Sequence, residues 1–214
     1  MTTPVVMRRA TLRELSLVIG LIERTTAWLK SKGTDQWQRP WPSLKARNRR
    51  IRKDIEAGKT WIAWVGDVPA GTITIAYAHS SSLPELWTKK DVGPAFSAHR
   101  AVVDRKYAGI GLGAAMFNWA AQQAVRYGKE WIRIDVWTNN ADLHEYYKRH
   151  NFQFVRYYKD KRYPSGALFQ RHISECPAVP GIALMTDEHP VRPRSPETQR
   201  SPQTQLSQLV VAQR

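Results

Sequence analysis

Val102-Val103-Asp104-Arg105-Lys106-Tyr107-Ala108-Gly109-Ile110-Gly111-Leu112-Gly113 joins a strand pattern to a helical one. Residues 97–103 read as the strand. Downstream, Leu112, Ala115, Met116, Trp119 and Ala120 recur at the i, i+3, i+4, i+7 and i+8 spacing of one helix face, up to a stop near Gly128. Glycines in such a turn let successive backbone amides converge on an anion, and the helix N-terminus adds favourable partial charge. The turn therefore suits a diphosphate. Its spacing is not that of a nucleotide phosphate loop, because no Lys-Ser/Thr follows. Nor do Gly109, Gly111 and Gly113 make the G-x-G-x-x-G of a dinucleotide fold.

Periodicity on either side places this turn inside a mixed sheet. Residues 5–9 read as a short strand, and Thr11-Leu12-Arg13-Glu14 as a capping box. Leu12, Leu15, Ile19, Ile22 and Leu29 then mark an amphipathic helix that fades near Gly33. Ser43 caps a second helix that runs through Ala57 and closes at Gly58. Residues 61–65 and 72–78 form two strands joined by Gly66-Asp67, followed by a polar loop with Ser80, Ser81, Ser82 and Pro84. Beyond Gly128, residues 131–137 alternate, with Ile132, Ile134 and Val136 on one face and Arg133 and Asp135 on the other. A short helix over 140–149 and two strands, 153–158 and 167–172, flank Tyr163-Pro164-Ser165-Gly166. The order β-α-α-β-β-β-α-β-α-β-β argues a mixed α/β sheet and not a doubly wound one.

With both sides in place, the chain resembles the GNAT superfamily of acyl-CoA-dependent N-acetyltransferases. Val103-Asp104, Tyr107, Gly111 and Gly113 fit that family's strand-turn-helix signature in register, with Ala108 where Arg or Gln is usual. A frame two residues back puts Lys106 there and breaks the Val-Asp-x-x-Tyr match. The second motif is Asn140-Ala141-Asp142-Leu143-His144-Glu145-Tyr146-Tyr147-Lys148-Arg149-His150-Asn151-Phe152. Asn140, Tyr147 and Phe152 match it, and Leu143 and Asn151 replace the usual Ala and Gly. Asn tolerates the left-handed backbone nearly as well as Gly, so the second replacement is mild. The resemblance covers about residues 5–172. It implies a domain over 1–172 that uses acetyl-CoA as co-substrate and no metal.

The resemblance also implies roles. Ala101, Val102 and Val103 would lie beside the pantetheine arm, and the amides of Ala108, Gly109, Ile110, Gly111, Leu112, Gly113 and Ala114 would hold the pyrophosphate. Asn140 would bond the arm or cap its helix. Tyr147 would protonate the leaving thiolate, while Tyr146 is expected to point the other way. Transfer to an amine also requires a proton acceptor. Asp135, on the strand leading to Asn140, is the first candidate, against an ion pair with Arg133; His99 is the rival, since imidazole titrates in a useful range. Between the first two helices, Trp37 and Trp41 would line an acceptor with a flat or apolar part, and Asp35 would hold its ammonium.

Composition bounds the partners. Lys+Arg total 33 against 18 Asp+Glu, a net charge of +15. Lys45, Arg47, Arg49, Arg50, Arg52 and Lys53 crowd one helix, a solvated surface or one for an anionic macromolecule, while basic residues around the turn, Arg105 and Lys106 among them, suit coenzyme A phosphates; the field opposes a polycationic acceptor. The acceptor classes left open are the primary amine of a small metabolite or protein and an aminoacyl-tRNA. A non-catalytic acyl-CoA sensor or nucleic-acid-binding module is the non-enzymatic alternative, and a homodimer is compatible with all of these. Cys176 is the one cysteine, which excludes an intrachain disulfide scaffold and a thiolate zinc site. No apolar run approaches a membrane span and the N-terminus lacks a secretory pattern, so a cytoplasmic protein is expected. Residues 173–214 hold six of the 13 prolines and no Phe, Trp or Tyr, which reads as a disordered tail. Ile182-Ala183-Leu184-Met185 and Leu209-Val210-Val211 are its only candidate anchors.

Overall fold

The computed structural model describes residues 3–76, 86–88, 91, 94–160 and 162–187. Strand β1 (Thr3–Arg9) leads through a single 3-10 turn into helix α1 (Leu15–Ser31), followed by α2 (Leu44–Glu56). A hairpin of β2 (Thr60–Val65) and β3 (Val68–Ala76) comes next, then β4 (Ala95–Val103), α3 (Leu112–Arg126) and β5 (Trp131–Val136). Helix α4 (Ala141–Arg149), β6 (Gln153–Tyr157), β7 (Ala167–His172) and β8 (Ile182–Asp187) complete it. The expected caps hold both early helices. Thr11 donates its amide to Glu14 Oε2 (2.7 Å), and the Ala46 amide donates to Ser43 Oγ (3.2 Å). The polar loop with Ser80, Ser81, Ser82 and Pro84 and the Leu209-Val210-Val211 anchor lie outside the described residues.

The eight strands form one sheet in the order β6-β7-β5-β4-β3-β2-β1-β8. Neighbours are antiparallel except β4 with β5 and β1 with β8. Both faces are covered, and the alternation of each strand sorts its side chains between them. On β2, Trp61 and Ala63 join the core beneath α3, with Met116, Trp119 and Ala120. Ile62 and Trp64 on the opposite face join Leu21, Ile22, Ile51 and Ile55 of α1 and α2. Each such fully buried aliphatic side chain contributes about 1.5–3 kcal/mol of transfer free energy.

The chain does not leave the fold at His172, as its composition suggested. Residues after β7 cross the outer face of α3, where Asn118 donates its amide to the Pro177 carbonyl (2.6 Å), and then run along the free edge of β1. The register is parallel, from Thr3 opposite Ile182 to Arg8 opposite Asp187. Ile182 and Leu184 alternate inward onto the core, and Trp119 Nε1 donates to Thr186 Oγ1 (2.8 Å). Six alternating residues suffice here because β1 offers a ready row of hydrogen-bonding groups. A composition average over 42 residues dilutes so short a signal. No described helix is long and apolar enough to cross a membrane.

Candidate active site

The site begins where two parallel strands part. β4 and β5 pair only from Ala95/Trp131 to Ala98/Ile134. Beyond that couple β4 also bulges against β3: Thr74 faces His99 and Thr72 faces Val102, so Arg100 and Ala101 stand opposite Ile73 alone. Arg100 takes the left-handed backbone (φ 49°) to achieve this. The remaining edge of β4, from Arg100 to Val103, runs beyond its register with β5. A cavity of about 980 Å³ opens there.

At the mouth of the fork, the two residues just past the last paired couple meet. His99 Nδ1 lies 2.7 Å from Asp135 Oδ1. Tyr163 donates its hydroxyl to the other oxygen, Oδ2, at 2.5 Å. Burial and the adjoining Asp135 carboxylate both raise the Tyr163 hydroxyl well above the usual phenol range, so it stays a donor. Tyr163 comes from the β6–β7 connection. That loop is fastened to the end of β5, where the Thr138 amide donates to the Pro164 carbonyl (2.9 Å) and the Gly166 amide to Thr138 Oγ1 (2.9 Å).

The glycine-rich turn lines the same cavity. Asp104 opens it by accepting the Lys106 amide (3.1 Å) and the Arg24 guanidinium (3.0 Å). Burial alone would raise the Asp104 carboxyl; those hydrogen bonds outweigh it and hold the group below its ordinary value. Gly109 (φ 84°) and Gly111 (φ 89°) adopt left-handed backbone, and Gly111 caps α3. The amides of Leu112, Gly113 and Ala114 belong to the first turn of α3, where no intrahelical acceptor exists. Two contacts crowd this turn: a Cβ on Gly111 would meet Val179 Cγ1 at 2.8 Å, and one on Gly113 would meet the Tyr146 hydroxyl at 2.9 Å. Val179 belongs to the crossing segment, so residues expected to be a tail form one wall of the turn.

Tyr147 and Tyr146 both line the cavity, against the expectation that Tyr146 faces away. They meet edge to face with ring centroids 5.5 Å apart. Tyr147 is further packed by Phe117 and Phe152. Burial, then Tyr146 and Asp135, raise its hydroxyl far above the usual range. Adjacent residues on a helix lie about 100° apart, so both can reach one wide groove, which a two-face reading of α4 misses.

On the acceptor side the expectations divide. Trp37 and Trp41 line the cavity, and Trp41 packs edge-on against Tyr163 (5.2 Å between ring centroids). Asp35 does not line the cavity; its Oδ1 accepts the Trp137 indole N–H (2.7 Å). Asn140 is engaged at both ends, accepting the Leu143 amide (3.0 Å) and donating to Gln36 Oε1 (2.6 Å). It caps α4 and ties the α1–α2 loop to the cavity. Asp135 does not pair with Arg133 as the alternative reading held. Arg133, on the same face of β5, lies instead over the Trp87 ring (4.7 Å). Sequence reading named Asp135 and His99 as rivals, and the fold makes them partners; it missed Tyr163 and Arg100 altogether. Among the described residues there is no cluster of His, Cys, Asp and Glu able to hold a metal ion.

Comparison with known proteins gives the family of this fold. Residues 22–152 match the model of the acetyltransferase (GNAT) family. The chain is 30% identical over 139 residues to the uncharacterized N-acetyltransferase YesJ of Bacillus subtilis (strain 168), covering 64% of this chain and 76% of that protein. A GNAT-family acetyltransferase from Listeria monocytogenes superposes with a TM-score of 0.65 at 26% identity, over 78% of this chain and 94% of the other. The PaiA N-acetyltransferase from Thermoplasma acidophilum, solved in complex with coenzyme A, shares the fold at 13% identity (TM-score 0.57, 78% and 98% covered).

Proposed function

Because the chain belongs to the GNAT family of acetyltransferases, we propose that it carries an acetyl group from acetyl-CoA directly to a primary amine, with His99 as the base. The observation that carries the assignment of roles is the His99–Asp135–Tyr163 array. It sits at the fork of β4 and β5, in one cavity with the glycine-rich turn.

Each half of the cavity suits one half of the reaction. The edge of β4 from Arg100 to Val103 offers strand-like N–H and C=O groups to the amides of a pantetheine arm. The amides of Leu112, Gly113 and Ala114 would take the pyrophosphate, aided by the helix N-terminus. When bound, acetyl-CoA supplies the activated acyl group. Asp135 has both oxygens committed, so its part is to hold the imidazole. With Nδ1–H directed at Asp135, the His99 Nε2 is the lone-pair nitrogen that accepts the amine's proton. Asp135 then stabilises the imidazolium so formed, and Tyr163 fixes the carboxylate. Tyr147, kept protonated by its surroundings, gives its proton to the departing sulfur.

The test follows free thiol released from acetyl-CoA across a panel of primary amines, peptides and charged tRNA. His99→Gln is expected to lower kcat by about 100- to 10,000-fold on the best acceptor, the scale for one general base. A variant with wild-type kcat would rule out His99 as the base.

A further inference from the structure

The bulge that shapes β4 also delivers an arginine into the acceptor half of the cavity. Arg100 pairs with Asp54 of α2, and Arg50, one helical turn before Asp54, donates to the Trp41 carbonyl. Both guanidiniums line the cavity and both are partly buried. Among the described residues each makes one hydrogen bond, although a guanidinium carries five N–H donors. Burial, and then the neighbouring Arg100, push the Arg50 guanidinium below its ordinary value, as expected of like charges sharing a half-dry wall. Asp54 balances one of the two. Arg47, beside them on α2, is already matched by Glu23 (3.0 Å), and Arg39 lines the same wall. Beyond Tyr163 lies the Asp135 carboxylate behind His99. The acceptor half is thus divided, cationic at Arg50 and Arg100 and anionic at Asp135, with Tyr163 and Trp41 between.

We propose that the acceptor is a small zwitterion: a primary amine that also carries a carboxylate or phosphate, the anion held by Arg50 and Arg100 while the amine faces His99. This rests on the acetyl-transfer reading and narrows it. Two forked donors converging on one space match the paired oxygens of such an anion, which a lone ammonium acceptor could not use. The indole and phenol walls bound a body with an apolar part. A left-handed arginine in a bulge is backbone strain placed at the site, where it aims a side chain that a regular strand would turn away.

Three acceptors with one body separate the possibilities: phenylalanine, its aminophosphonate analogue, and phenethylamine, which lacks the anion. Thiol release from acetyl-CoA should give at least one anionic member a kcat/KM about tenfold or more above phenethylamine, the scale of one charge-assisted bond. The ratio of the first two acceptors identifies the anion. Arg100→Gln and Arg50→Gln should each pull the preference toward one through KM, and Arg100→Lys should restore part of it. In a second arm, phenylacetate and phenylphosphonate, which have no amine to acetylate, should raise the melting temperature of the wild type and not of the Arg50→Gln/Arg100→Gln double variant. Equal use of phenethylamine, or a preference that survives both substitutions, would overturn the proposal. Arginine-dependent protection by the anions with no thiol release from any amine would sustain the anion site and overturn acetyl transfer instead.

Discussion

Asp135 shows how far a side chain's role depends on what its two oxygens touch. As an isolated carboxylate on β5 it is a plausible base; with His99 on one oxygen and Tyr163 on the other it has become an anchor. Asp135→Asn should therefore lower kcat by about 100- to 10,000-fold through the wrong imidazole orientation while leaving coenzyme A affinity, measured by calorimetry, unchanged. Tyr147→Phe should reduce kcat on a similar scale, since it removes the proposed acid and keeps the packing against Phe117 and Phe152. Tyr163 gives a pH prediction. Its folded-state pKa is raised, so its stabilising contribution is complete below the unfolded phenol value of about 10 and fades as pH climbs past it. Tyr163→Phe should flatten the fall of melting temperature above that pH, and an equally steep fall would assign the alkaline loss to Tyr146 and Tyr147, which are raised as well. His99, Asp135 and Tyr147 were legible because residue type and motif register mark them. Tyr163 was not: 28 residues separate it from Asp135, and it looked like the start of a Pro-Gly turn.

Among the elements, the regular ones were read almost to their ends, because periodicity, caps and glycines speak locally. Ser43 and Gly58 bound α2 as expected, and Gly111 ends the turn before α3. The β4 bulge had no such signature. Bulges are often marked by glycine, and here the left-handed residue is Arg100, chosen by Asp54 on another element and not by its own propensity. The glycine-rich turn offers the element-scale test. Gly111→Ala must accept a left-handed alanine, at about 1–2 kcal/mol, and must also displace Val179 from 2.8 Å. Coenzyme A affinity should fall and the melting temperature drop together. Gly109→Ala meets nothing within 4 Å, so it should show only the conformational part of the loss.

For the whole molecule, the mixed sheet follows from the element order, while the edge strand β8 was legible only as the short anchor Ile182-Ala183-Leu184-Met185 within an expected tail. The local composition of residues 173–187 is poor in aromatics, while the partner that orders them, β1, lies at the far end of the chain. Truncation after Ile173, compared with a chain ending at Asp187, removes β8 and leaves Trp119 Nε1 without Thr186. The expected cost is a melting temperature lower by about 5–10 °C, from the partial burial of Ile182 and Leu184 and the usual size scaling. Equal melting temperatures for the two chains would show that β8 adds nothing to stability.

The placement of β8 beside β1 has a bearing on biosynthesis. A ribosome delivers β1 first and β8 last of the described strands, so the nascent chain can assemble helices, fork and glycine-rich turn while one border of its sheet still lacks its neighbour. An uncovered strand of that kind invites pairing with other chains. The same late segment brings Val179 onto Gly111. Sealing that border and finishing the wall of the glycine-rich turn thus become a single late event, so a stalled or clipped translation product would lack both.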